Sequence, residues 1–466
     1  MATFTVTNLL DAGANSLRQA ILDANAMAGA DTITFDPLLF NSGLSQTISL
    51  TGGELFITDS LSILGPGADL LTIDAQQMSR VFNINDGDNN IFLDVTLDGL
   101  TIIGGLTTES GSFDGDGGGI RSFENLTVSN STVSGNSTTG GGADGGGIFS
   151  YGGDLSVSNS TVSGNSTTGT SAFGGGIFGE DGNVSVSNST VSGNSTTGIS
   201  ALGGGIASLF DDLSVSNSTV SGNSTTGANA RGGGIVSAFS SLSVSNSTVS
   251  GNSTTGVNAD GGGIVRFDGM VSVNNSTVSG NSTTGVNADG GGIVRFDGDV
   301  SVESSIIANN TANALGPDVF LGFASTTAGS NNLIGVGDDT GNGTFNIVDG
   351  INGNQVGTAA SPLDPLLGPL QNNGGPTFTQ SPLPGSPAID MGANPLGLLT
   401  DQRGETRSVG QTDIGAVEVQ PVVEPPEPPT TVPEPTSVIS LALMGAVLGR
   451  KVKVMKRQRH GPQRES

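Results

Sequence analysis

The chain has 466 residues and a formal net charge of −27, with 76 glycines, one tyrosine (Tyr151), no tryptophan and no cysteine. Absent cysteine excludes disulfides and thiolate metal sites, and a hydrophobic content of 34% beside so much glycine argues against a thick conventional core. Seven of the 15 basic residues lie from Arg450 onward, leaving 8 basic against 41 acidic groups in residues 1–449. Nucleic-acid phosphates and anionic membranes repel a body that acidic, so no nucleic-acid partner is expected.

Residues 1–115 read as an N-terminal cap followed by irregular coils. In NSLRQAILDANA, Ser16 and Gln19 suggest a capping box, and Leu17, Ala20, Ile21 and Ala24 share one helical face. An amphipathic helix there suits the open end of a stacked-strand structure, which otherwise exposes core and strand edges. Strand-like runs follow at Thr32–Phe35, Thr47–Leu50, Leu55–Leu64, Val81–Ile84 and Ile91–Ile103. The stretch resembles the S-L-R-E-A-I segment of the CSLREA domain of exported bacterial β-helix proteins, with Gln19 in place of Glu.

Residues 116–310 are periodic. Asn136, Asn165, Asn194, Asn223, Asn252, Asn281 and Asn310 recur at intervals of 29, each in a phrase such as SVSNSTVSGNSTTG. A GGGI element recurs alongside, as at Gly174–Ile177. Alternation of Leu155 and Val157 with Ser156 and Ser158 is that of a half-buried strand, and three short strands with three bends per repeat are expected. Ser, Thr, Gly and Val disfavour helix, and a leucine-rich spacing is absent. The pattern therefore predicts an all-β solenoid, a single-stranded right-handed parallel β-helix, whose seven coils span roughly 33 Å at the strand spacing. The seven asparagines are expected to stack as a structural ladder at a bend, where Asn tolerates left-handed geometry. The repeats resemble those of bacterial surface β-helices, including the GGA-I and F-x-x-N repeats of chlamydial polymorphic membrane proteins, a likeness of architecture alone.

Residues 311–419 leave the repeat and read as an irregular β C-terminal cap. NNLIG, DPLLGPLQNNGGPTFT, SPLPGSPAID, DQRGETR and DIGAVE follow in order. Together they resemble the choice-of-anchor Q domain, which ends β-helices just before a surface-anchoring signal, and so imply display without a reaction. Residues 420–437 form a Pro-rich, acidic linker, and 438–466 join a short apolar run to a basic tail. Pro433, Glu434 and Pro435 with that run and tail resemble the PEP-CTERM sorting signal, which implies export, transient membrane anchoring and a sorting protease as partner. The 12-residue apolar run Val438–Gly449 is shorter than the roughly 20 residues that cross a bilayer. MATFTVTNLLDAG carries neither the basic nor the apolar region of a signal peptide, so export needs a start further upstream or another route.

The chemistry expected of β-helix enzymes is not evident. The single His is His460, in the tail, so no GHG motif is present, and the acid pairs Asp211-Asp212 and Asp338-Asp339 point to opposite faces of a strand. Arg121, Arg231, Arg266 and Arg295 each stand apart from an acidic cluster in the sequence, and aromatic platforms for sugars are scarce. Asp401, Arg403, Glu405 and Arg407 read as ion pairs stitching the C-terminal cap rather than as an acid/base pair. Asp260, Asp268, Asp289, Asp297 and Asp299 read as solvated loop carboxylates rather than Ca²⁺ ligands. Phe149, Phe178, Phe210, Phe239, Phe267 and Phe296 read as core covering at a bend rather than an adhesive stripe. The Asn-Ser-Thr triplets match glycosylation sequons, with the inward asparagines out of reach. Outward rows Ser156/Ser158 and Thr161/Ser163 form a hydroxyl lattice, of which an ice-binding surface is a minor reading.

The expectation is thus a non-enzymatic, monomeric rod at the cell surface or in the extracellular matrix, without cofactor, catalytic or metal residues. It acts as adhesin, spacer or matrix component towards a surface or matrix ligand, polysaccharide included. A secreted polysaccharide lyase or glycoside hydrolase of the β-helix class is the alternative.

Overall fold

A computed structural model describes residues 1–40, 43–88, 91–111, 113–407 and 410–420. Met1–Gln420 form one compact unit. Pro433, Glu434, Pro435 and the whole of 421–466 lie outside the described residues. Among those described, no helix is long and apolar enough to cross a membrane.

The fold is a parallel β-helix. Its strands collect into four sheets of 12, 12, 7 and 10 strands. One coil shows the plan: Leu155–Ser158 in the first sheet, Thr161–Ser163 in the second, Ser166–Thr167 in the third and Ile177–Glu180 in the fourth. Each strand pairs in parallel with its equivalent 29 residues on, as Leu155 with Val184, Val162 with Val191 and Ser166 with Ser195. The coil therefore has four strands, not the three expected; the Ser166–Thr167 pair carries no apolar residue to mark it. In the irregular N-terminal coils, the long runs predicted over 55–64 and 91–103 break into Leu55–Ile57 and Leu61–Leu64, and into Asp94–Asp98 and Thr101–Ile103.

Alternation explains the packing. Leu155, Val157, Val162 and Ile177 point inward with at most 1% exposure and belong to one apolar column running from Val6 to Ile347. Helix α1 (Leu17–Asn25) extends that column with buried Leu17, Ala20, Ile21 and Ala24. Ser16 caps it by accepting from the Gln19 amide at 3.2 Å, but the Gln19 side chain donates to Asp23, so only half the capping box forms.

The asparagine column is continuous and buried. Asn165 Nδ2 donates to Asn194 Oδ1 at 3.0 Å and to the Val133 carbonyl at 2.9 Å, while its Oδ1 accepts from the backbone and side-chain nitrogens of Asn136. Every polar valence of the amide is filled. Asn136 opens the column by accepting from Gly105, and Asp318 closes it by accepting from Asn310 Nδ2 at 2.8 Å. The left-handed corner, however, falls to a different asparagine: Asn130, Asn159, Asn188, Asn217, Asn246 and Asn275 have φ of 45–50° and ladder Asn does not. A second, serine column was not foreseen: Ser160 Oγ accepts from the Ser131 amide and donates to the Ser158 carbonyl, and so on to Ser305, Asn332 and Asn354. Glycine serves close approach at Gly175, where a Cβ would stand 2.4 Å from the Ser195 carbonyl oxygen.

The C-terminal part leaves the coil. Val319–Leu321, Thr326–Ser330, Leu333–Ile334 and Gln355–Val356 continue the stack. The chain then turns back along the second sheet. Ala393 and Gly415 bond to Ser304, Ala416 to Thr277, and Gln402 to Thr248 and Thr219. Gln402 is fully buried and also holds Thr377 at 2.9 Å. This return strap covers the threonine row from Thr219 to Ile306, so that row stays open at Thr132, Thr161 and Thr190, while the serine row of the first sheet remains at the surface, with Ser185 and Ser214 exposed.

Candidate functional site

The fourth sheet has an outward row in strict register: Phe56, Asn83, Arg121, Phe149, Phe178, Ala207, Val236, Val265, Val294 and Phe320. From Phe149 on, it forms a second apolar cluster beneath the loops that precede each strand. At the N-terminal end the row is polar, and there the surface opens. A short 3-10 turn, Phe113–Gly115, crosses over Arg121. It brings Phe113 within 5.3 Å of Phe123 and 5.0 Å of Tyr151, ring centre to ring centre, with Phe123 and Tyr151 5.9 Å apart. The scarcity of aromatic platforms expected from composition does not hold here, because rings far apart in sequence converge.

Arg80 pairs with Glu54 at 2.8 Å, and Glu54 also accepts from Asn83 at 2.6 Å. Arg121 donates to Asn83 at 3.2 Å and to Asp114 at 3.1 Å, and its guanidinium lies 5.5 Å over the Phe123 ring. Arg121 thus has one acidic partner, Asp114, from the loop that precedes its own strand, while Glu54 from an earlier coil reaches it only through Asn83. Asp116 and Asp144 lie just behind. Burial pushes Asp116 up to about 6, against hydrogen bonding and the nearby arginines. Burial and then the Asp116 charge push Asp144 up to about 8. Glu180 and the Tyr151 phenol are raised by burial first, then by Asp181.

Two contiguous hollows line this surface. One, of about 410 Å³, is bounded by Asn85, Phe113, Asp114, Arg121, Phe123 and Tyr151. The next, of about 360 Å³, shares Phe123 and Tyr151 and adds Phe92 and Asp181. A third, of about 430 Å³, meets the first at Asp114 and runs past Arg80 and Glu54. Concave surfaces with aromatic floors and a few convergent polar groups are where small ligands bind.

The other predicted residues scatter. Asp401 and Arg403 pair at 2.7 Å inside the strap, with Glu418 donating its amide to Asp401, while Glu405 stays exposed. Arg407 is buried against Asn246 and the Gly415 carbonyl, and burial pulls its guanidinium below the usual value. The cluster thus stitches strap to coil. Asp268, Asp297 and Asp299 are exposed, but Asp260 and Asp289 are not simply solvated: Asp260 accepts from the Asp289 amide and pairs with Arg231, and Asp289 accepts from Leu315. Among the described residues no group of three or more His, Asp or Glu is placed to hold a metal ion. Phe149 and Phe178 are buried, Phe267 and Phe296 stack under Arg231, whereas Phe210 and Phe239 stack in the open, 48% and 57% exposed. Core covering therefore describes only part of that set. Ladder asparagines are buried within their sequons, but Asn159, in another Asn-Ser-Thr triplet, is exposed. Arg266 and Arg295 are wholly buried, on the row of Ser237.

No family model matches the chain, and no curated protein does. Among solved structures it is similar to the A-module of the Azotobacter vinelandii mannuronan C-5 epimerase AlgE6, at 14% identity over 76% of this chain and 99% of that one, with a TM-score of 0.32. It is also similar to ORF18 of Geobacillus virus E2, at 11% identity over 70% and 62% of the two chains, with a TM-score of 0.24.

Proposed function

We propose that the chain is a non-enzymatic β-helix rod of an exported surface or matrix protein, a spacer or adhesin that presents a lateral binding face. One observation carries this reading: the buried carboxyls behind the groove, and Arg80 beside it, are committed to holding the scaffold. Asp116 Oδ1 accepts from the Asp144 amide at 2.7 Å, and Asp144 Oδ1 from the Phe173 amide at 2.6 Å. Glu124 accepts from Asp86 and Leu93, and Arg80 is tied to Glu54 and to the Asp116 carbonyl. An acid/base pair needs a group that can exchange its proton with substrate, and these carboxyls are anchored to backbone amides one coil away. Identical coils extend length and surface, and repeated weak contacts gain by multivalency. The sorting-signal resemblance around Pro433, Glu434 and Pro435 supports display at the surface.

A polysaccharide-acting enzyme is the second reading, favoured by the raised Asp116 and Asp144 beside Arg80 and Arg121. Incubating the purified protein with acidic and neutral polysaccharides and separating the products by chromatography distinguishes the two. Polymers of unchanged length and composition are expected; shortened, unsaturated or epimerised products refute the rod reading. Surface proteolysis of intact cells carrying a tagged chain is expected to cut the tag, and complete protection in the cytosol refutes display.

A further inference from the structure

Exposed aromatic and apolar side chains are elsewhere scattered or paired, but here Phe92, Phe113, Phe123 and Tyr151 line two joined hollows. Phe113 is 45% and Phe92 38% exposed, so their rings face solvent rather than the core. Resting on the non-enzymatic reading, we propose that this groove binds a neutral, hydroxyl-rich saccharide. Pyranose C–H faces lie on the rings of Phe92, Phe113 and Tyr151, and Asn85, Asp114 and Asp181 take the hydroxyls.

Three features select that chemistry. Flat rings with a partly apolar, partly wet surround suit a ligand with the same division, which a pyranose has and a lipid lacks. The rim is acidic: the Asp114 side chain is 77% exposed, and Asp181 and Glu180 stand beside Tyr151. Carboxylates accept hydrogen bonds from sugar hydroxyls but repel uronate or sulfate groups. Both arginines are engaged, Arg80 with Glu54 and two carbonyls, Arg121 with Asn83, Asp114 and the Phe113 carbonyl. Neither is left to neutralise an anionic sugar. The combined space falls in the range of small-ligand sites.

Tyr151 is the single tyrosine of a chain without tryptophan, so intrinsic emission reports on this groove alone. Full-length protein titrated with cellohexaose, xylohexaose, mannohexaose and hexagalacturonate is expected to show a saturable change in tyrosine emission with at least one neutral hexasaccharide and none with hexagalacturonate. F113A should weaken that binding about fivefold, as loss of one stacked ring implies, with an unchanged thermal midpoint. Y151F, followed by calorimetry, should retain it. No saturable change with any neutral probe, equal or tighter binding of hexagalacturonate, or full affinity in F113A overturns the proposal. Chromatography of each probe afterwards separates the two readings. Binding with cleavage refutes the non-enzymatic rod and leaves the groove standing, whereas no binding with intact probes refutes the groove alone.

Discussion

Replacing Asn223 by Ala removes one rung of the buried column. Its side chain makes four hydrogen bonds: Nδ2 to Asn252 Oδ1 and to the Val191 carbonyl, both at 2.9 Å, and Oδ1 from the Asn194 backbone and side-chain nitrogens at 3.0 Å. Asn252 Oδ1 keeps the Asn223 amide as a donor. The Asn194 amide and one Asn194 side-chain proton are stranded without water, whereas the Val191 carbonyl keeps its place in the parallel ladder to the next coil. A stranded buried group costs about 1–3 kcal/mol, so N223A should destabilise its coils by about 4 kcal/mol. Because each coil contacts only its neighbours, the effect is local. Hydrogen exchange read by mass spectrometry should show faster exchange over about residues 190–255 with distant coils unaffected. Asn159, left-handed and exposed, is the control: N159G should stay within about 0.5 kcal/mol, since glycine adopts that φ freely. A cost below about 1 kcal/mol for N223A would refute the reasoning, because the column would then be incidental to coil stability.

Stability should fall as pH rises. Burial raises Asp116 and Asp318 to about 6 and Asp144 to about 8 in the folded chain, against 3.8 when unfolded. Folding therefore takes up protons between these values, so their contribution is complete below about pH 4 and is lost through about 6 and about 8. Calorimetry at constant ionic strength should record a declining midpoint over that window, and D144N should flatten its alkaline half; a rising midpoint contradicts the assignment. The strap depends on Gln402, whose buried amide bonds Thr248, Thr219, Thr377 and the Ser218 carbonyl. Q402A should cost about 2–4 kcal/mol and open residues 364–420 to limited proteolysis while the coils resist; unchanged cleavage argues against a load on this residue.

The coils were legible because identical side chains at a fixed interval have one physical reading, stacking in register, and because Leu155, Val157 and Ile177 alternate with polar residues. The helix face was legible for the same reason. Serine was not: Ser158 faces out and Ser160 faces in, yet nothing in the residue type separates them. The third sheet escaped notice because Ser166–Thr167 is too short and polar to carry a period. The return strap has no repeat, and its contacts reach across 184 residues, as from Gln402 to Ser218. Groove residues were equally dispersed, since Glu54, Arg80, Phe113 and Tyr151 meet only once the irregular coils stack. Arg266 and Arg295 defeat composition outright. Charge argues for solvent, yet both are buried, Arg266 donating to Ser237 and pulled down to about 10 by burial.

The central claim is the parallel stacking of coils 29 residues apart, and an oxidative cross-link tests it most directly. The chain has no native cysteine, and Ser156 and Ser185 are strand partners in the first sheet. With Cα atoms about 4.8 Å apart at the strand spacing, S156C with S185C lies within disulfide reach. The account predicts rapid, near-complete intramolecular bonding for that pair and little for S156C with S214C, two coils distant. Equal bonding in both pairs, or none in the first, would contradict it.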